Sequence, residues 1–127
     1  MIDVDNFKMI NDLNGHVVGD ELLKHFGRIL KNSFGKYDIV GRAGGDEFIV
    51  FMKNVEDDTI VKWKAQELCN NICSIRIPKF KGTISCSIGI ALYPCHGQDF
   101  KTLYSLADQA LYQTKDHGKN GYTCYQE

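Results

Sequence analysis

Residues 38–52, DIVGRAGGDEFIVFM, read as two short apolar runs joined through Gly44-Gly45. A Gly-Gly pair supplies the positive φ angles of a tight two-residue turn, so the flanking runs pair as an antiparallel hairpin. Two acids, Asp46 and Glu47, follow the glycines directly. The stretch is either a plain turn or a turn that also holds a cation. Gly-Gly is common between strands, so the neighbours of the tip decide.

Upstream, MIDVD reads as the last residues of a strand already under way, so the first element is expected to be clipped. NFKMIND starts a short helix capped by Asp5 or Asn6, and LNGHVVGD reads as a loop with two glycines. ELLKHFGRILKNS then places Leu22, Leu23, Phe26, Ile29 and Leu30 on one stripe, an amphipathic helix ended by Gly35. Downstream of the hairpin, a helix over 57–74 turns Val61, Ala65, Leu68 and Ile72 inward. TISCSIGIAL alternates strictly, with Ile84, Cys86, Ile88, Ile90 and Leu92 on one face and Ser85, Ser87, Gly89 and Ala91 on the other. The small second face predicts a neighbour at close approach. A helix over 100–116, with Leu103, Leu106, Ala107, Ala110 and Leu111 inward, stops near Gly118. GYTCY is a short last strand.

Strand, helices, hairpin, helix, strand, helix, strand is an α+β, ferredoxin-like order with helices on one sheet face. In that topology the second hairpin strand lies antiparallel beside the first strand. The tip with Asp46 and Glu47 is therefore expected next to Asp3 and Asp5.

Composition narrows the chemistry. The chain has 127 residues, 43% hydrophobic and 24% charged, with a net charge of −1 and no basic cluster. That argues against a nucleic-acid platform and against an anionic membrane surface. No apolar run approaches the ~20 residues of a membrane span, and no signal peptide is visible. Five scattered cysteines, an odd number, argue against a disulfide framework and for a reducing, cytoplasmic setting. Cys69 and Cys73 lie one helical turn apart, but no second pair with ligand spacing joins them. Core packing is the expected role.

Like charges gathered at one end of a sheet repel unless a cation sits between them. Asp3, Asp5, Asp46 and Glu47 offer only oxygen, which suits Mg²⁺ or Mn²⁺ better than zinc. Magnesium held by one or two carboxylates commonly shares its shell with phosphate, so a nucleoside triphosphate is the candidate ligand. Each acid taken singly is more often a solvated loop charge; it is Asp3 and Asp46 brought together by topology that favour a cation. The N–H groups opening the NFK helix, with Lys8 in its first turn, suit phosphate oxygens. Lys115 and Lys119, in TKDHGKN, could serve the same ligand, or simply complement a helix C-terminus.

Four blocks in order, DVDNFKMINDLNGHVVGDELL, GRAGGDEFIVF, ISCSIGIALYP and LADQALYQTKDHGKNGY, together resemble the GGDEF domain, the diguanylate cyclase family. The resemblance covers nearly the whole chain and implies a palm-type, nucleotide-cyclase-like fold with helices packed around an antiparallel sheet. It implies that two GTP are condensed into cyclic di-GMP, with release of two pyrophosphates, at a dimer interface using two metal ions. Asp3 and Asp46 would be side-chain metal ligands, joined by the Val4 carbonyl, with Glu47 assisting catalysis. Asn11 and Asp20 would recognise guanine, whose N1–H and N2–H donors suit a carboxylate; a helix N-cap is the other reading of Asp20. Asn6, Phe7 and Lys8 would bind the β- and γ-phosphates, and Lys115 and Lys119 the terminal phosphates. Arg42 would lie near the phosphates, unless it is only an exposed hairpin arginine.

The sequence departs from the family at three places. The inhibitory product site needs Arg-x-x-Asp; Asp38 is present but Gly35 replaces the arginine, so that site is degenerate. Ala43 stands where a larger apolar residue is usual, which is expected to loosen packing under the turn. The family's N-terminal helix is absent, so residues 1–127 are expected to be one N-terminally truncated domain, weakly active or inactive alone. A second GGDEF domain and an upstream sensory or dimerisation domain are the expected partners. The domain itself is expected in the cytoplasm without membrane or nucleic-acid contact, whatever anchors its parent. The competing reading is a catalytically silent GTP-binding regulatory module.

Overall fold

The structure, a computed structural model, describes all residues 1–127. Its elements run β1 (Ile2–Val4), α1 (Phe7–Asn14), α2 (His16–Ser33), β2 (Ile39–Arg42), β3 (Glu47–Phe51), α3 (Asp58–Cys73), β4 (Cys86–Ile90), α4 (Phe100–Asp116) and β5 (Gly121–Cys124). The sheet order is β2-β3-β1-β4-β5. The first four strands are antiparallel neighbours in the ferredoxin-like order, and β5 adds to the edge parallel to β4. The right register falls out of the hairpin: Ile2 lies opposite Phe48 and Asp3 opposite Glu47.

The hairpin is less tight than its glycines imply. Its four connecting residues are 43–46, Ala43 and Gly44 both donate to the Glu47 carbonyl, and neither Gly44 nor Gly45 takes a left-handed φ. Arg42 closes the tip instead, its guanidinium donating to the carbonyls of Gly44 and Gly45. Ala43 is exposed.

Helices cover both sheet faces, not one. Ile2, Val4, Phe48, Cys86, Ile88 and Ile90 share a core with the inward stripes of α2 and α3. On the opposite face, Met1 packs with Ala107 and Leu111 of α4. The small alternating face of β4 explains how α4 fits: a Cβ added to Gly89 would sit 2.1 Å from the Ala107 carbonyl and 2.3 Å from the Leu111 nitrogen. Helix on backbone contact of this kind needs glycine. All five residues of β4 are buried, as expected for a strand covered on both sides.

Helix α2 also begins a full turn earlier than its apolar stripe, at His16, so Val17–Asp20 is helix and not loop. Gly15, at φ 88°, is the sharp joint between α1 and α2. Gly19 sits inside α2 because α1 crosses it there: an added Cβ would lie 2.2 Å from the Asn11 side-chain oxygen. The α3 and α4 starts follow their caps, with Asp57 accepting from Thr59 N–H and Asp99 from Thr102 N–H. Cys69 and Cys86 are buried in the core with their sulfurs 4.0 Å apart. No helix is long and apolar enough to cross a membrane.

Candidate functional site

At the end of β1 the strand pairing opens. Val4 N–H donates to the Asp46 carbonyl at 3.2 Å, but Asp46 N–H does not return the bond, so the Val4 carbonyl lacks that partner. The Asp3 side chain points to the α4 face, where Lys115 reaches it from the last turn of the helix and bonds its Oδ2. Its other oxygen, Oδ1, is buried without any hydrogen-bond partner. A buried, unpaired carboxylate oxygen is costly, and a bound cation is the natural way to satisfy it.

The electrostatics agree. Burial pushes the Asp3 carboxyl up to about 6; Lys115 pulls it down, and the neighbouring Asp46 carboxylate adds to the rise. For Lys115, burial favours the neutral amine, but Asp3, Asp46 and Glu47 outweigh it and hold the ammonium above its usual range. A proton on Asp3 therefore stands where a divalent ion would relieve the same repulsion. The donor set fits such an ion: Asp3, Asp46 and the Val4 carbonyl supply oxygen alone. No group of three or more His, Cys, Asp or Glu side chains converges, so phosphate or water oxygens would have to complete the shell.

Asp5 does not join this cluster. β1 ends at Val4, and the Asp5 side chain turns into the protein, 4% exposed, accepting from Ser85 Oγ, Ser87 Oγ and the Asn120 amide. The alternation that would align it with Asp3 needs a strand that continues, and this one stops.

Asn6 takes φ 57° and caps α1 without a side-chain bond to the helix; its Oδ1 instead accepts from Lys119 Nζ at 2.6 Å. The first α1 bond runs from Ile10 N–H to the Asn6 carbonyl, leaving the N–H groups of Phe7, Lys8 and Met9 without protein partners. Those donors suit phosphate. Lys115 and Lys119 thus both face the end of β1, from opposite sides of one turn. On the far side of α1, Asn11 contacts His16 Nδ1 at 3.1 Å and abuts Gly19. Asp20 follows Gly19 in the second turn of α2, exposed and too far into the helix to cap it. Arg42 serves the turn itself, as described above.

Asp38, expected at a degenerate inhibitory site, accepts from Gly35 N–H in its own turn and from Lys53 N–H beyond β3. A cavity of about 1010 Å³ is mainly apolar and lies elsewhere, among residues such as Met1, Ile49, Phe51, Ile90, Phe100 and Tyr104. None of the expected site residues lines it. The expected site residues gather at the polar end of β1 instead.

Residues 1–121 match the family described as "Diguanylate cyclase, GGDEF domain". The chain belongs to the GGDEF family. Over 99% of its length it is 38% identical to the bifunctional diguanylate cyclase/cyclic di-GMP phosphodiesterase MucR of Pseudomonas aeruginosa, and spans 18% of that protein. It is 33% identical over 98% of its length to the cyclic di-GMP phosphodiesterase PdeR of Escherichia coli, spanning 19% of it. The GGDEF chain thus covers about a fifth of these relatives. The active GGEEF domain of a diguanylate cyclase from Vibrio cholerae shares its fold, with a TM-score of 0.89 at 31% identity, covering 99% of this chain and 80% of that one.

Proposed function

We propose that this GGDEF domain binds GTP with Mg²⁺ or Mn²⁺ and, paired two-fold with a second copy, condenses two GTP into cyclic di-GMP. The observation that carries this reading is the buried, unpartnered Asp3 oxygen beside Asp46 and Lys115. Asp3, Asp46 and the Val4 carbonyl would hold two metal ions, which would activate the ribose 3′-hydroxyl and neutralise the leaving pyrophosphate. Asn6, Phe7 and Lys8 would bind the β- and γ-phosphates through the open end of α1, with Lys115 and Lys119 on the terminal phosphates. Asn11 and Asp20 would read the guanine edge, leaving an adenine with unpaired groups. Each 3′-oxygen then bonds to the α-phosphorus of the other GTP as the bond to pyrophosphate breaks, and Glu47 assists removal of the hydroxyl proton. One domain cannot bring two such pairs together, so dimerisation governs the rate. An upstream sensory or dimerisation domain in the parent protein would supply that control, in the cytoplasm.

The test is to fuse the chain to a dimerising coiled coil and supply GTP and Mg²⁺. Cyclic di-GMP and pyrophosphate should accumulate, and Asp46→Asn should abolish both while leaving the melting temperature within a few degrees. A folded dimer that makes no product would sink the cyclase reading. A silent GTP-binding module is the second reading, favoured by the relative named as a phosphodiesterase. Calorimetry distinguishes it: heat on adding GTP without product. Competition with ATP tests the guanine assignment.

A further inference from the structure

The buried Asp5 carboxylate has no part in the metal reading, yet it is fully occupied. Oδ2 accepts from Ser85 Oγ at 2.6 Å and from Asn120 N–H at 3.0 Å, and Oδ1 accepts from Ser87 Oγ at 2.6 Å. All three donors are neutral, and Asp5 forms no ion pair. A carboxylate buried on neutral donors alone is an expensive way to fill space. An apolar residue would leave all three donors unpaired and an Asn would set its own NH2 against one of them, so the pocket is built for a carboxylate, and the convergence of donors calls for a reason.

The reason lies in the turn it grips. After α4, three consecutive residues take positive φ: Gly118 at 109°, Lys119 at 64° and Asn120 at 46°. Two of them are not glycine, and such conformations persist only where surrounding bonds over-determine them. The helix end supplies two of those bonds, Gly118 N–H to the Lys115 carbonyl and Lys119 N–H to the Thr114 carbonyl. Asn120 N–H, the next in line, goes to Asp5. With the Gly118 and Lys119 N–H groups turned back to the helix, Asn120 N–H is the one left to donate outward, and the Asp5 carboxylate is its acceptor. Meanwhile the residue after Asp5, Asn6, is itself left-handed and receives the Lys119 ammonium. Two irregular segments, residues 5–6 and 118–120, therefore clasp each other, with Asp5 holding the Asn120 backbone and Lys119 reaching back to the Asn6 side chain.

We infer that Asp5 is a positioning residue: its carboxylate fixes the 118–120 turn so that Lys119 is delivered to the open end of α1. It acts through Lys119 and touches no substrate itself. The inference rests on the reading of Lys119 as a terminal-phosphate ligand only for its functional consequence, not for the clasp.

Two measurements keep those apart. In the unsubstituted chain, the Asn120 amide lies in an exposed turn but should exchange with solvent at least about tenfold more slowly than neighbouring exposed turn amides. Asp5→Asn should release Asn120 and Lys119 selectively, leaving the exchange of α4 upstream of residue 113 unchanged. A fast Asn120 amide in the native chain overturns the clasp outright, with no variant required. For function, Mg²⁺–GTP and GMP are titrated against the native chain, Asp5→Asn, Lys119→Ala and the double variant. Asp5→Asn should lower GTP affinity about tenfold with little change for GMP, and adding Lys119→Ala should cost nothing further. Equal losses for GTP and GMP, or additive effects of the two substitutions, overturn the positioning role. If Lys119→Ala leaves the GTP preference intact, the phosphate assignment fails, and the exchange data still decide the clasp.

Discussion

A proton and a metal ion compete for Asp3. Because its carboxyl sits near 6 in the folded chain against about 4 when unfolded, its protonated form favours folding. Its contribution is fully present below about pH 4 and is lost as pH rises through 6. In chelator, denaturation of Asp3→Asn should therefore lack a stability change on the order of 2 kcal/mol that the native chain shows between pH 4 and 7. Magnesium affinity should run the opposite way, weakening below about pH 6. A pH-independent Mg²⁺ affinity would remove the carboxylate from the ligand set. Asp3 and Asp46 were legible as partners because the hairpin, not their spacing, brings them together. Asp5 was not legible: nothing in DVD shows that the strand stops between its two acids, and Ser85 and Ser87 lie far away in the chain.

At the level of elements, the glycines separate what could be read from what could not. Gly89 was readable, since its place on a small alternating face demands a close neighbour. Gly89→Ala would press into the α4 backbone and should cost about 3 kcal/mol or more, seen in urea unfolding. Gly19 was hidden, because glycine inside a helix weakens the helical signal and so VVGD looked like loop. Its alanine variant must displace Asn11, so it should weaken guanine nucleotide binding several-fold while the melting temperature drops only modestly. The hairpin tip misled in a third way. Its shape comes from the Arg42 guanidinium on two carbonyls, not from left-handed glycines. Arg42→Ala should therefore expose residues 43–45 to limited proteolysis at a stability cost of about 1 kcal/mol. Uncut variant protein would show that the loop holds its shape alone. Helices α3 and α4 were easiest, with aspartate caps at their first turns and uninterrupted stripes behind them.

For the whole molecule, the fold order followed from the alternation of hairpin and crossovers, whereas the cover on the second face did not. Four helices and five strands can be written down from periodicity, but which face each helix takes depends on packing between distant segments. The site is assembled from that packing: Lys115 meets Asp3 across 112 positions of sequence, and Lys119 meets Asn6 across 113. Contacts this remote form late, after the entropy of closing long loops has been overcome. A nascent chain leaving the ribosome would hold its first aspartates idle until the last helix and the turn after it have emerged. The site would then report that the last helix and its turn are in place, since a half-made domain has no Lys115 for Asp3 and no Lys119 for Asn6.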